Sequence, residues 1–161
     1  MTPDTRRLFA LLRHPAGLIG SGFGSGLSPL APGTIGSLAA LLPWLALRHL
    51  PPAYYAALVV AAFALGIWAC AWVAATLRVS DPRVAVWDEF VGLWIALAPL
   101  VPAPRGMLWT LCGFILFRIF DIAKPWPVSW ADRLHGGFGI MLDDVIAGVY
   151  AALILALLLY L

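Results

Sequence analysis

The sequence predicts an all-α, polytopic bundle of about four or five membrane-associated helices, forming one domain over residues 1–161. Three observations point there. Hydrophobic residues make up 63% of the chain and charged residues 11%, against about 25% charged in ordinary soluble domains. The mean hydropathy is +0.94. Residues 53–77 form a 25-residue stretch without a single charge, long enough to cross the hydrocarbon core of a bilayer. At 161 residues, these helices use most of the chain and leave no separate soluble domain. Any chemistry must be built at helix ends and loops, because an unpaired charge at the bilayer centre costs about 3 kcal/mol or more.

The elements follow in order. "MTPDTRRLFALLRHPAGL" carries an Arg pair before a short apolar stretch, but Arg13 and His14 interrupt it and no small-residue cleavage site follows. It reads as a retained cytoplasmic or interfacial segment. Residues 17–36 hold seven glycines and two prolines, which disfavour a continuous helix and predict an irregular or re-entrant stretch. The first apolar helix is expected from Thr34, as N-cap, to about Leu47. Arg48, His49 and the Pro51-Pro52 pair connect it to the span at 53–77, and Arg78 to Trp87 form a polar loop. A third apolar run covers 90–102 and a fourth 107–120. Residues 121–143 are a long polar connection, and the last helix runs from Val145 to Leu161. Cys70 and Cys112 lie inside apolar runs, as packing residues, and form neither a disulfide framework nor a CxxC metal site.

With a cytoplasmic N-terminus, five spans place Arg6, Arg7, Arg13, Arg78, Arg83, Arg118, Lys124 and Arg133 inside, against Arg48 and Arg105 outside. This obeys the positive-inside rule. The same topology puts all eight acidic residues on the inner face. The positive-inside rule does not require that. Short outer loops without room for charge are one explanation, and an active site is the other.

Two acid pairs stand out. "VWDEFVGLWIAL" sets Asp88 and Glu89 before one apolar helix, and "GIMLDDVIAG" sets Asp143 and Asp144 before another. A single pair fits helix capping, since acids in a first turn suit the macrodipole. Two pairs on one side concentrate like charges, and a cation removes that repulsion. Hard oxygen ligands without His or Cys select Mg²⁺, with Mn²⁺ or Ca²⁺ as substitutes. In "FRIFDIAKPWPVSW", Arg118, Asp121 and Lys124 fall at i, i+3 and i+6, on one broad helix face until Pro125 and Pro127 stop it. Cations at span ends often snorkel to headgroups. Lys124 is nonetheless the only lysine in the chain. Arg118 can clasp a phosphate bidentately, Lys124 can add a point charge and Asp121 can join the metal shell. Cations for phosphate beside carboxylates for Mg²⁺ describe phosphoryl chemistry.

Other phosphoryl chemistries fit poorly. Cys112 and Arg118 have the C-x5-R spacing of cysteine phosphatases, but "GFILF" between them is an apolar helix pattern. Histidine chemistry would need several placed histidines, and of His14, His49 and His135 only His135, in "RLHGGFGIM", lies near the other groups. A Walker loop is absent.

Four segments carry a family resemblance: "FGSGLSPLAPGTIGSLAA" at 23–40, "WDEFVGLWIAL" at 87–97, "FRIFDIAKPWP" at 117–127 and "DRLHGGFGIMLDDVIAGV" at 132–149. Together they resemble the phosphatidylglycerophosphatase A family. The resemblance implies a Mg²⁺-dependent bacterial inner-membrane phosphatase that converts phosphatidylglycerophosphate to phosphatidylglycerol in the cytoplasmic leaflet. The expected catalytic and metal-binding residues are Asp88, Glu89, Asp121, Asp143 and Asp144. Arg118, Lys124, Arg133, Thr34 and His135 are the expected substrate-binding residues. The acyl chains are expected to lie against Trp87, Trp94, Trp126 and Trp130, because indole rings suit the membrane interface. The expected partner is a phospholipid and not a nucleic acid; the sequence leaves the oligomeric state open. The rival from another class is a small Mg²⁺ or cation channel or transporter, which requires carboxylates at several depths along a pathway.

Overall fold

A computed structural model describes residues 5–102 and 105–161, and side chains from Leu8 onward. Asp4, Arg6 and Arg7, counted above on the inner face, therefore lie outside what is described, the first entirely and the other two by their side chains. The described residues are helical and contain no strand. In chain order the α-helices are α1 (Thr5–Leu11), α2 (Pro15–Gly20), α3 (Pro32–Leu47), α4 (Pro52–Leu77), α5 (Trp87–Leu97), α6 (Met107–Ala123), α7 (Val128–Ala131) and α8 (Gly136–Tyr160). Single 3-10 turns occupy Ser25–Leu27 and Ala98–Leu100.

Two helices, α4 and α8, are long and apolar enough to cross a bilayer. Only 28% and 33% of their most apolar stretches are buried within the protein. A core helix of a soluble protein would hide most of such a surface; here it faces outward, where lipid can cover it. The five-span expectation is not met by length alone. At 1.5 Å per residue, α3 (16 residues) and α6 (17 residues) reach about 24–26 Å, short of the roughly 30 Å core. The 11 residues of α5 reach only about 17 Å.

The short helix α5 is the centre of the bundle. Nine of its eleven residues are buried, and α3, α4, α6 and α8 all pack against it. Its closest neighbour is α8. A Cβ added at Gly148 would collide with the Gly92 carbonyl oxygen, so glycine at 148 is what lets the two backbones touch. Three polar groups inside this apolar packing find partners across helices, as a water-poor medium favours. Trp87 Nε1–H donates to the Ala62 carbonyl (2.9 Å), Trp94 Nε1–H to that of Ala40 (3.0 Å), and Tyr55 O–H to that of Trp94 (2.6 Å). Trp87 and Trp94 are thus core residues bridging α5 to α4 and α3, which corrects their expected place beside acyl chains. Trp126 and Trp130 are exposed.

Several boundaries also differ from expectation. The glycine-rich stretch contains α2 and a 3-10 turn, stitched by Ser21 and Ser25 hydroxyl contacts to nearby backbone. Helix α3 begins at Pro32 with Ala31 as its N-cap in the left-handed region (φ 44°), so Thr34 lies inside the helix and does not cap it. Helix α8 begins at Gly136, about two and a half turns before Val145. Asp143 and Asp144 accordingly sit in the body of a helix, where capping cannot account for them. Cys70 is buried and Cys112 half-buried, both as free thiols.

Candidate active site

The N-terminus of α5, the N-terminus of α3, the C-terminus of α6, the first turns of α8 and the 78–86 loop converge at one end of the bundle. They enclose a cleft of about 360 Å³. Seven carboxylates line it: Asp81, Asp88, Glu89, Asp121, Asp132, Asp143 and Asp144. The chain has eight acidic residues, and seven of them meet in one place; the eighth, Asp4, lies outside the described residues.

The five acids expected at the site separate into three environments. Glu89, Asp121 and Asp144 each offer an oxygen within 4.8 Å of the other two. Asp143, also buried, lies outside that trio and accepts a hydrogen bond from Lys124 Nζ (2.9 Å). Asp88 lines the cleft without a cationic partner among the described residues; its Oδ1 accepts from the Glu89 backbone N–H (2.9 Å).

Arg118 stands behind this trio and does not line the cleft. Its Nη1 donates to Glu89 Oε2 (2.5 Å) and to Ser37 Oγ (3.1 Å) and pairs with Asp121 Oδ2 (2.9 Å), while Nη2 reaches Thr34 Oγ1 (3.4 Å). The guanidinium is therefore committed to carboxylates. Lys124, at the C-terminal cap of α6 with φ 43°, is committed likewise: its ammonium pairs with Asp132 and Asp143. Burial works against the charge on Lys124, but those two carboxylates more than offset it and hold the amine above the ordinary lysine range. Arg133 and His135 are exposed and lie outside the cleft lining. Among the described residues, Thr34 meets the site through Arg118.

Three residues that the motifs did not single out belong to this region. Ser37 is fully buried, and its hydroxyl lies 2.5 Å from Glu89 Oε2 and 3.0 Å from the Gly33 carbonyl. Asp132 closes the pair around Lys124. Arg83, on the 78–86 loop, lines the cleft and has no ion pair among the described residues. The sequence carried a signal for two of them: Ser37 follows "PGTIG" and Asp132 opens "DRLHGGFGIMLDDVIAGV", both within segments that carry the resemblance. Asp81 on the same loop has its carboxyl lifted above the ordinary range, by burial first, with Lys124 opposing and Asp132 reinforcing the shift.

Among the described residues, the seven carboxylates of the cleft stand against three cations, Arg83 and Lys124 in its lining and Arg118 behind it, a formal excess of four negative charges. Such a cleft repels anions and attracts cations. One buried oxygen, Asp144 Oδ2, has no hydrogen-bond partner among the described residues, although unpaired buried carboxylate oxygens are costly. The trio fits a small hard cation. Mg²⁺ takes carboxylate oxygens at about 2.1 Å in an octahedron, which puts its ligand oxygens no more than about 4.2 Å from one another, close to the spacing found.

The profile of the phosphatidylglycerophosphatase A family matches residues 18–159, nearly the whole chain. The chain belongs to this family. It is 46% identical over 145 residues to phosphatidylglycerophosphatase A of Escherichia coli K12, covering 89% of this chain and 83% of the relative. It is 43% identical over 145 residues to the protein of the same name from Haemophilus influenzae Rd, covering 89% and 88%. A Bacteroides thetaiotaomicron protein with the provisional name phosphatidylinositol-3-phosphatase is 45% identical over 144 residues, covering 86% and 90%. No solved structure matches the chain. All of the cleft-lining acids fall within the stretch that the family profile covers.

Proposed function

We propose that this member of the family is a Mg²⁺-dependent lipid phosphatase that hydrolyses the terminal phosphomonoester of phosphatidylglycerophosphate, releasing phosphatidylglycerol and inorganic phosphate. The observation that carries this reading is the gathering of seven carboxylates around a cleft in a family whose relatives are named for lipid phosphatase activity. An excess of negative charge is useless to an anionic headgroup unless a cation stands between them. A channel or transporter needs acids spread along a path, whereas these share a single cleft.

Glu89, Asp121 and Asp144 would hold the metal, which would supply Lewis acidity and offset the charge of the cleft. Asp88, with no cationic partner among the described residues, accepts a proton from the attacking water. The water oxygen bonds to phosphorus as the phosphorus–glycerol oxygen bond breaks, and the departing oxygen takes a proton from solvent at the cleft mouth. Arg83 receives the incoming phosphate, because Arg118 and Lys124 already hold carboxylates. Lys124 fixes Asp143 and Asp132 at the rim. Acyl chains remain in the bilayer, so the cleft accommodates only a headgroup. The cleft faces the cytoplasm of a bacterial inner membrane, a placement supported by the eight-to-two distribution of Lys and Arg across the expected faces.

Release of inorganic phosphate from phosphatidylglycerophosphate in mixed micelles tests the proposal, with Mg²⁺ or with EDTA, beside Asp88→Asn and Asp143→Asn. Turnover that requires Mg²⁺ and drops at least about 100-fold in Asp88→Asn supports it. Full turnover in EDTA defeats the metal assignment. A preference for phosphatidylinositol-3-phosphate, the lipid in the Bacteroides relative's name, would move the substrate assignment and leave the chemistry in place.

A further inference from the structure

Glu89 divides its two oxygens between two tasks. Oε2 accepts from Ser37 Oγ and from Arg118 Nη1, both at 2.5 Å, whereas Oε1 is the oxygen that a Cβ at Gly33 would strike. Gly33 lines the cleft, so Oε1 is turned toward it and Oε2 away. Ser37 sits one helical turn beyond Gly33 on α3, with its hydroxyl also 3.0 Å from the Gly33 carbonyl. The serine thus spans 52 positions of sequence to join α3 to α5, and it accepts from Arg118 of α6 as well (3.1 Å). It is wholly buried, and a solvent-facing role is closed to it.

We propose that Ser37 is a positioning residue for the metal: it pins Glu89 Oε2, together with Arg118, so that Oε1 alone is presented to the ion. This rests on the metal assignment of the preceding subsection. Carboxylate ligands are ordinarily held by a hydrogen bond from a second group, and loss of that group typically weakens metal affinity or activity by about 10–100-fold. Without the Ser37 hydroxyl, the Glu89 carboxylate can rotate about its terminal torsion, which is soft for sp³–sp² bonds. Arg118 restrains one oxygen from one side only. The ligand then samples orientations in which neither oxygen, or the wrong one, faces Asp121 and Asp144.

Mn²⁺ titration of the purified full-length protein without substrate, read by the loss of the free-ion electron paramagnetic resonance signal, tests this apart from turnover. The parent is expected to bind Mn²⁺. Ser37→Ala is expected to weaken that binding at least about 10-fold, and to raise the Mg²⁺ concentration for half-maximal phosphate release by a similar factor, more than it lowers kcat. Ser37→Cys, of similar size with a weak S–H donor, should fall between the two. A melting midpoint lowered in Ser37→Ala with Mn²⁺ affinity equal to the parent's would make Ser37 a packing residue and overturn the inference. If Ser37→Ala does not fold, Ser37→Cys carries the test, and parent-like Mn²⁺ affinity in that variant overturns it. A parent that binds no Mn²⁺ and turns over in EDTA overturns the metal assignment and this inference with it. A parent that binds Mn²⁺ equally well with and without the hydroxyl removes this inference alone.

Discussion

Replacing Asp144 by Asn keeps the shape of the side chain and removes one of three charges whose oxygens lie within 4.8 Å of one another. At that distance two carboxylates repel by about 3.5 kcal/mol at an effective dielectric constant of roughly 20. Asp144 takes part in two of the three pairs, for a gross repulsion of about 7 kcal/mol. Arg118, at 2.5 Å from Glu89 and 2.9 Å from Asp121, cancels much of this, and the new amide N–H groups need partners of their own. A net gain of about 1–3 kcal/mol remains for the metal-free variant, in keeping with active sites that hold function at the expense of stability. For a chain of 161 residues this raises the melting midpoint by about 3–10 °C. Mg²⁺ should act on the parent alone. At 100 times its dissociation constant a ligand stabilises by about 2.7 kcal/mol, so the parent's midpoint should climb on adding Mg²⁺ while that of Asp144→Asn stays level. Melting in detergent with EDTA, then with Mg²⁺, reads both effects, and phosphate release should fall at least about 100-fold in the variant. The reasoning is refuted if Asp144→Asn melts well below the metal-free parent, or if Mg²⁺ raises both midpoints equally.

Lys124→Met removes the ammonium that Asp132 and Asp143 share. With the lysine side chain 32% exposed and that of Asp143 11% exposed, the loss should be about 1–2 kcal/mol, with activity falling further because Asp143 is freed to move; thermal melts alongside turnover separate the two. Gly148→Val drives a branched side chain into the Gly92 carbonyl. Overpacking of this kind costs about 1–3 kcal/mol, but parting α5 from α8 also parts Glu89 from Asp144. Phosphate release should therefore drop about 100-fold in protein that still purifies as a folded species, and Mn²⁺ affinity should drop with it. Arg83→Gln should raise KM about 10-fold with a smaller change in kcat, checked by initial rates over a range of lipid concentrations in the micelle surface.

The kinds of residue at the site were legible in the chain. Carboxylate pairs in so apolar a sequence announce a cation, and Arg118, Asp121 and Lys124 share a helix face by spacing alone. Their roles were less so. Arg118 was expected to clasp phosphate; it instead binds Glu89, 29 positions away. The Asp143-Asp144 pair was expected at a helix mouth, because polar residues 121–143 gave no sign that α8 already begins at Gly136. Glycine at 136, 137 and 139 argues against helix locally, and packing of α8 against α4, α5 and α6 outweighs it. Arg133 and His135 were drawn in by their proximity in sequence, yet α8 carries the chain away from them toward the cleft.

By itself, the sequence determined the helical class, the long apolar helix over 53–77 and a set of carboxylates whose oxygens suit a hard cation, since each follows from composition or from residues a few positions apart. Only the tertiary structure decided which carboxylates face the cleft, which are tied to Lys124 or Arg118, and that Ser37 joins them. The physical reason is that a buried charge must find its partner wherever packing brings one, and in this bundle the partners of Glu89 come from α3 and α6, 52 and 29 residues away along the chain.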